Sequence, residues 1–183
     1  MTEISIQLSK GALREGRHDR HGFADMPRNP VYIAMDSLTC SHNVGCIFRM
    51  ADAVLAKKLL LCGDTRLPPG KRISKGSRGA EKWVPWEHHE QIADALIPLK
   101  ESGVQIISLE LCDSSVDYAE MSYASPVCFV VGAEHSGVSP EALALSDHTI
   151  HLPMLGMSNS LNVSTATSVI LYDFLEKIER STR

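Results

Sequence analysis

Five short apolar runs alternate with segments of helical periodicity along most of this chain. The runs are residues 31–36, 59–62, 104–109, 126–131 and 149–152. Apolar strands that alternate with helices are typical of a mostly parallel sheet with helices on both faces. The sequence therefore predicts an α/β fold, with a ligand site beyond the carboxyl ends of the strands.

Helical spacing and helix-start signals place the covering helices between these strands. Asn43 is the predicted N-cap of a helix that ends near Val54, and Pro140 suits the first turn of a short helix. Longer helices are predicted over 89–100 and 161–178. Residues 64–82 are rich in Gly, Pro, Lys and Arg and are interpreted as a loop.

Length and composition are those of one globular domain with a short extension. The chain has 183 residues, of which 44% are hydrophobic and 22% are charged. We predict a folded domain over 31–183 that follows a basic N-terminal arm over 1–30, with room in the arm for one short helix. The basic residues of the arm are Lys10, Arg14, Arg17, Arg20 and Arg28.

Several features argue against membrane, secreted and metal-binding proteins. The apolar runs are far shorter than the ~20 residues of a membrane span, and the N-terminus has no apolar stretch of signal-peptide length. The five cysteines form no Cys-x-x-Cys pair, so we expect reduced, mostly buried thiols in a cytoplasmic protein. No acid or thiol completes a ligand set around the close histidine pairs, so no metal site is predicted.

The net charge of −4 conceals a strong asymmetry along the chain. Residues 1–82 contain 14 of the 18 Lys and Arg residues and 8 of the 22 Asp and Glu residues, a balance of +6. Residues 83–183 contain the other 4 and 14, a balance of −10. A positive field on one face can attract a phosphate backbone even when the whole chain is mildly acidic. Nucleic acid is therefore a candidate partner, and ordinary surface charge that is unevenly distributed is the alternative.

The distinctive polar and glycine-rich segments follow predicted strands. They are residues 39–49, 132–139 and 153–164. In the second segment, Glu134 lies between Gly132 and Gly137, which permit close approaches and unusual turns. Five polar residues crowd the helix start in the third segment: Ser158, Asn159, Ser160, Asn162 and Ser164. Capping a helix needs one such residue, so the excess indicates side chains directed at a ligand.

Arg49 lies in an otherwise apolar helical stretch, where an arginine needs a partner. One interpretation is an ion pair with a carboxylate elsewhere in the chain. The other is a functional role, in which the guanidinium presents a fork of donors to a phosphate or an acidic group.

These segments together resemble the three motifs of the SpoU (TrmH) methyltransferases, which belong to the SPOUT superfamily. The motifs are Asn43 with Arg49, Gly132-x-Glu134-x-x-Gly137, and Leu152-Pro-Met-x-Gly156 followed by Ser160-Leu-Asn-Val-Ser164. The likeness extends through Leu171-Tyr-Asp173 and covers roughly residues 31–178. It implies a deep C-terminal trefoil knot, which is a rare exception among folds.

The resemblance also implies an activity and an assembly. The expected reaction is methylation of a ribose 2′-hydroxyl in RNA, with S-adenosylmethionine as the cofactor. The expected assembly is a homodimer whose sites take residues from both subunits. About 30 residues precede the first predicted strand, and this favours transfer RNA over ribosomal RNA by analogy with relatives that carry a separate recognition domain. A non-catalytic RNA-binding module with the same fold is the alternative function.

Individual roles follow from the same resemblance. The positions that match cofactor contacts are Gly132, Leu152, Met154, Gly156 and Leu161. The positions that match the catalytic site are Asn43, Arg49, Glu134, Ser160 and Asn162. We expect a side chain at position 132 to intrude on the cofactor with little unfolding. Arg49 either orients the hydroxyl and its neighbouring phosphate or removes the hydroxyl proton, for which a pKa above ~12 makes it a poor base.

The segment 64–82 combines basic residues with two neighbouring tryptophans. Basic residues beside aromatic ones suit RNA, which is held by phosphate contacts and base stacking. We therefore predict RNA contacts for Arg66, Lys71, Arg72, Lys75 and Arg78. Trp83 and Trp86 themselves are interpreted as packing residues.

Overall fold

A parallel sheet forms the centre of the molecule in the structure, a computed structural model that describes residues 7–9, 11, 12, 15 and 26–182. Seven strands are found in this part of the chain: β1 (Asn29–Asp36), β2 (Ala56–Cys62), β3 (Trp86–His89), β4 (Gln105–Leu109), β5 (Val116–Asp117), β6 (Val127–Gly132) and β7 (His148–His151). Their order is β3-β2-β1-β6-β4-β7-β5, and each neighbouring pair is parallel. The predicted α/β fold with a mostly parallel sheet is confirmed.

Helices cover both faces of the sheet. They are α1 (Ser41–Ala53), α2 (Lys71–Ser77), α3 (Ile92–Glu101), α4 (Pro140–Leu145) and α5 (Val163–Thr182). Successive side chains of a strand point to opposite faces, and β1 shows the consequence. Ile33 and Met35 pack in one apolar cluster with α1, α2 and α5, whereas Ala34 packs in a second cluster with α3 and α4.

The structure differs from the predictions in two connecting segments. Residues 64–82, interpreted as a loop, contain α2 and a 3₁₀ turn at Ala80–Lys82. His89, the predicted start of a helix, belongs to edge strand β3, and α3 begins only at Ile92. Pairing with β2 and the edge-on contact between the Trp86 and Phe48 rings outweigh the polar composition of this strand.

The start of α1 also differs from its predicted form. Cys40, not Asn43, is the N-cap, and its side chain makes no capping hydrogen bond. Asn43 lies inside the helix and is buried, because its amide group bonds to two side chains from distant segments. Competition for a tertiary contact therefore removes Asn43 from the cap position.

Arg28 belongs to the domain although it was assigned to the basic arm. Its guanidinium donates hydrogen bonds to the carbonyl oxygens of Ala56 (3.2 Å) and Trp83 (3.5 Å). Lys10, Arg14, Arg17 and Arg20 lie outside the described residues, so the arm remains a prediction.

Both tryptophans contact the domain, which confirms their interpretation as packing residues. The indole N–H of Trp83 donates to Asp52 Oδ1 at 2.8 Å, and Trp86 packs against the first apolar cluster. No helix among the described residues is long and apolar enough to cross a membrane.

The expectation of mostly buried cysteines is wrong for three of the five. Cys62 and Cys128 are buried, but Cys40 is exposed and Cys46 and Cys112 are partly exposed. Burial raises the pKa of Cys62 to about 12 and also raises that of Cys128, so both thiols stay protonated at neutral pH.

Adjacent residues of α3 test which face of this helix is buried. Leu96 is fully buried in the second cluster, whereas Ile97 is 43% exposed. Leu96→Ala should lower the free energy of unfolding by about 2–5 kcal/mol, because it removes buried methyl groups and leaves a cavity. Ile97→Ala should cost less than about 1 kcal/mol in the same urea titration. Equal losses would contradict the packing described for this face.

Candidate functional site

A cavity of about 580 Å³ opens at the carboxyl edge of the sheet, where β4, β6 and β7 end. Its lining comes from residues 109–111, 131–137, 151, 152, 154, 159–163 and 166. The lining includes leucines and valines beside carboxylate, amide and hydroxyl groups. A mixed lining and a volume within ~300–1,000 Å³ are typical of small-molecule sites. A cavity therefore lies at the edge of the sheet where the sequence predicts a ligand site.

The loop 132–137 folds tightly on itself beside this cavity. Ala133 and Gly137 exchange two backbone hydrogen bonds, of 3.1 and 2.9 Å. A Cβ at Gly132 would lie 2.0 Å from the carbonyl carbon of Gly137, and Gly137 has φ +70°. A side chain at position 132 would therefore meet the backbone of its own loop. The expectation of little unfolding is therefore wrong, whereas intrusion of such a side chain on a ligand stays a prediction.

A chain of hydrogen bonds joins three distant segments at the cavity. Asn43 Nδ2 of α1 donates to Glu134 Oε1 at 2.8 Å, and Asn162 Nδ2 donates to Asn43 Oδ1 at 3.1 Å. Asn162 Oδ1 also accepts the backbone N–H of Ser164 at 3.0 Å and so caps α5. The structure thus brings together Asn43, Glu134 and Asn162, and Ser160 lines the same cavity.

Arg49 does not join this group. Its side chain is exposed, does not line the cavity and forms no ion pair with the residues that the structure describes. Arg49 is six positions after Asn43, which places the two side chains about 120° apart around the axis of α1. The interpretation of Arg49 as an internal ion-pair partner therefore has no described carboxylate to support it.

Four of the five predicted cofactor positions line the cavity, and one does not. Gly132, Leu152, Met154 and Leu161 line the cavity. Gly156 is exposed and lies outside the lining. Its neighbours Leu155 and Met157 are 99% and 101% exposed, so this part of the loop projects away from the domain.

Glu110 is a cavity residue that sequence analysis missed. It follows β4, and its carboxylate accepts the backbone N–H groups of Leu111 at 3.0 Å and of Val138 at 2.8 Å. The second bond fixes the end of the glycine loop to the neighbouring strand. A single glutamate forms no motif. Only its position directly after a core strand could have indicated a place at the ligand edge of the sheet. His135 and His151 also line the cavity.

The five predicted RNA contacts occupy two kinds of position. Arg66, Arg72 and Lys75 line a second hollow, of about 480 Å³, together with residues 39–42. Lys71 and Arg78 are exposed and lie outside it.

Among the described residues, no group of three His, Cys, Asp or Glu side chains has the geometry of a metal site.

These features define a class of protein. It is an α/β domain with a cavity of cofactor size at the carboxyl edge of its sheet and a group of hydrogen-bonded polar side chains beside that cavity. Residues 30–172 match the model of the SpoU rRNA Methylase family, and the chain belongs to this family.

Individual relatives extend this assignment. The tRNA (guanosine(18)-2′-O)-methyltransferase of Escherichia coli K12 is 39% identical over 144 residues, which are 77% of this chain and 61% of that protein. The crystal structure of the Aquifex aeolicus TrmH/SpoU tRNA modifying enzyme superposes with a TM-score of 0.78 at 31% identity, over 89% of this chain and 82% of that one. An AdoMet-bound rRNA methyltransferase from Sinorhizobium meliloti gives 0.72 at 28% identity, over 82% and 58%. The chain thus spans about three fifths of the length of its E. coli relative.

Substitutions at two glycines test whether the tight loop 132–137 requires glycine for stability. Gly132→Ala should lower the free energy of unfolding by about 1–3 kcal/mol or more, because its Cβ would overlap the backbone of Gly137 and Val138. Gly156→Ala should leave stability within about 0.5 kcal/mol, since a Cβ there meets nothing within 4 Å. Thermal unfolding of both variants is the measurement. A Gly132→Ala protein as stable as the parent would disprove the close approach.

Proposed function

We propose that this protein is an S-adenosylmethionine-dependent methyltransferase that acts on a ribose 2′-hydroxyl of transfer RNA. The observation that carries the proposal is the Asn43–Glu134–Asn162 hydrogen-bond chain beside the cavity. Polar residues from three remote segments converge there. The E. coli and A. aeolicus relatives are named for activity on tRNA, which favours tRNA over ribosomal RNA as the substrate. A tRNA substrate also agrees with the cytoplasmic location that we expect.

The cavity has the size and chemistry for this cofactor. Leu109, Leu152 and Leu161 offer apolar walls for an adenine ring, and the loops at Gly132 and Met154 offer backbone groups. S-adenosylmethionine supplies an electrophilic methyl group when bound. Glu110 and Asn159 are available for polar parts of the cofactor at the same lining.

The work of the polar chain is to hold a hydroxyl in line with the methyl group. Glu134 Oε1 is fixed by Asn43, whereas its Oε2 has no hydrogen-bond partner among the described residues. That oxygen is available to accept a hydrogen bond from a ribose hydroxyl. Orientation of two reactants of this kind can lower a barrier by about 7 kcal/mol or more.

Arg49 is the second group in the proposed mechanism. Its guanidinium presents paired hydrogen-bond donors, which suits it to orient the hydroxyl and the adjacent phosphate. Removal of the hydroxyl proton by Arg49 is the other role, for which arginine is ordinarily a poor general base.

A homodimer with shared sites explains the position of Arg49. The cavity of one subunit lacks this side chain in its described lining, so we infer that a second copy delivers it. Leu155 and Met157, which are fully exposed apolar side chains, offer a surface for that contact.

We also propose that the C-terminal part is threaded as a trefoil knot, as in the SpoU family. Support comes from three chain segments that lie side by side around the cavity. They are residues 109–111, 131–137 and 159–163.

Cofactor binding and methyl transfer test the function in sequence. Calorimetry with S-adenosylmethionine should show one site per chain, and label should then pass from the cofactor to bulk tRNA and not to ribosomal RNA. Nucleoside mass spectrometry of RNA from a deletion strain should identify the missing 2′-O-methyl nucleotide. Cofactor binding without transfer to any RNA would instead support the non-catalytic alternative.

The role of Arg49 gives a direct prediction. Arg49→Ala should lower turnover at least ~100-fold, the usual scale for a lost electrostatic or proton-transfer group. Cofactor affinity should hardly change, because the proposed contacts of Arg49 are with the hydroxyl and phosphate of the RNA. Single-turnover label transfer and calorimetry measure the two effects. Near-normal turnover in the folded variant would remove Arg49 from the mechanism.

Mixed dimers test the shared site. Arg49→Ala and Glu134→Ala subunits carry different tags, are co-expressed, and are purified through both tags. If each site combines the two residues from different subunits, one of the two sites is intact and activity should be about half that of the parent. If both residues came from one subunit, each site would carry a defect and the mixed dimer would be inactive.

A further inference from the structure

A second hollow lies beside the start of α1, apart from the cofactor cavity. It has a volume of about 480 Å³ and shares none of its described lining with that cavity. Thr39, Cys40, Ser41 and His42 form one side of it, and Arg66, Arg72 and Lys75 form the other. His42 precedes Asn43, the residue that bonds to Glu134 at the edge of the cofactor cavity. The hollow and the proposed reaction centre are therefore joined by consecutive residues of one helix.

The charges of the hollow favour an anion. Its lining contains three cationic side chains, and none of the described lining residues is acidic. Arg66, Arg72 and Lys75 form no ion pair with any residue in the described part of the chain. Arg66 Nε donates to the carbonyl oxygen of Thr39 at 3.3 Å, which holds this side chain against the opposite wall.

The acidic residue nearest in sequence to Lys75 is held by other partners. Glu81 is buried, and its carboxylate accepts hydrogen bonds from Ser74 and Ser77. Burial alone would raise the pKa of Glu81, but the two hydroxyl groups and other contacts lower it below its ordinary value. The carboxylate is thus ionised and occupied inside the domain, where it fastens α2 to the following 3₁₀ turn.

The two walls of the hollow are also fixed relative to each other. A Cβ at Gly45 would lie 2.3 Å from the carbonyl oxygen of Ile73, and one at Gly76 would lie 2.8 Å from that of His42. Helices α1 and α2 therefore touch backbone to backbone. Such contact places Arg72 and Lys75 opposite residues 39–42 before any ligand arrives, which lowers the entropic cost of binding.

We propose that this hollow binds one backbone phosphodiester of the RNA, adjacent to the nucleotide that is methylated. The inference rests on the proposed function, and it assigns different roles to two groups of the five predicted RNA contacts. Arg66, Arg72 and Lys75 hold a single phosphate in the hollow, whereas Lys71 and Arg78 contribute only to the surrounding field. Guanidinium groups suit the oxygens of a phosphate, to which they donate paired hydrogen bonds.

Two double variants with identical charge changes test the division. Arg72→Gln with Lys75→Gln removes two cations from the hollow, and Lys71→Gln with Arg78→Gln removes the same two residue types from outside it. The first pair should weaken tRNA binding at least ~10-fold and flatten its salt dependence by about one phosphate contact. The second pair should weaken binding less than ~3-fold. Equal losses in the two pairs, or no loss in either, would overturn the proposal.

Further measurements distinguish failure of this proposal from failure of the proposed function, and RNA binding from the binding of free anions. Both pairs should keep the parent affinity for S-adenosylmethionine, and the first should raise KM for tRNA more than it lowers kcat. A parent protein that neither binds nor methylates RNA would defeat the proposed function itself, whatever the variants do. Inorganic phosphate at constant ionic strength should compete only weakly with tRNA. Tight phosphate binding without an effect of the first pair on tRNA would point to a free anion and overturn the RNA assignment.

A variant that removes no charge tests the position of α2. Gly76→Ala forces a Cβ toward the carbonyl oxygen of His42 and so moves α2 away from α1. It should weaken tRNA binding ~3-fold or more, with cofactor affinity unchanged and the thermal transition still cooperative. Parent-like tRNA affinity in this variant would show that the spacing of the two walls is irrelevant to RNA.

Discussion

The parallel pairing of β6 with β1 and β4 is the constraint on which the rest of the structure depends. All six residues of β6 are buried, so this strand is fixed on both faces and along both edges. The loop that follows it is then attached to the ends of both neighbours. Glu110, after β4, accepts the N–H of Val138, and Asp36, at the end of β1, accepts the N–H of Ser139 at 2.8 Å. The ends of three strands thereby fix the position of the glycine loop. This fixed position forms one side of the cavity.

Asn43 extends this arrangement from the sheet to the helices. An asparagine side chain can both donate and accept, and here it donates to Glu134 and accepts from Asn162. A carboxylate or a lysine at position 43 would lose one of these two bonds. The buried amide therefore sets the distance between α1, the glycine loop and the start of α5. It connects the stability of the fold to the geometry of the proposed reaction centre.

The sequence predicts the five inner strands of the sheet but not the edge strand β5, because buried parallel strands are nearly continuous apolar runs that can be identified without knowledge of their neighbours. It predicts α2 and β3 poorly. Residues 71–77 are a short polar helix held by the Gly45–Gly76 contact and by Glu81, and β3 is an edge strand held by β2. Three catalytic candidates, Asn43, Glu134 and Asn162, could be found because they lie in motifs. Glu110 could not, since its importance arises from an N–H in another segment.

Helix α1 brings the separate parts of the site to one short stretch of chain. Its first residues, with Thr39 and Cys40, form one wall of the basic hollow, and Asn43 reaches the cofactor cavity. Arg49 lies nearly two turns further along and faces solvent, where a second subunit could meet it. The same helix packs closely against α2. Glycine at positions 45 and 76 permits this packing, because it lets the two backbones touch where side chains would hold them apart. The two ends of this arrangement differ in charge: Arg66, Arg72 and Lys75 line the basic hollow, whereas Glu110 and Glu134 line the cofactor cavity.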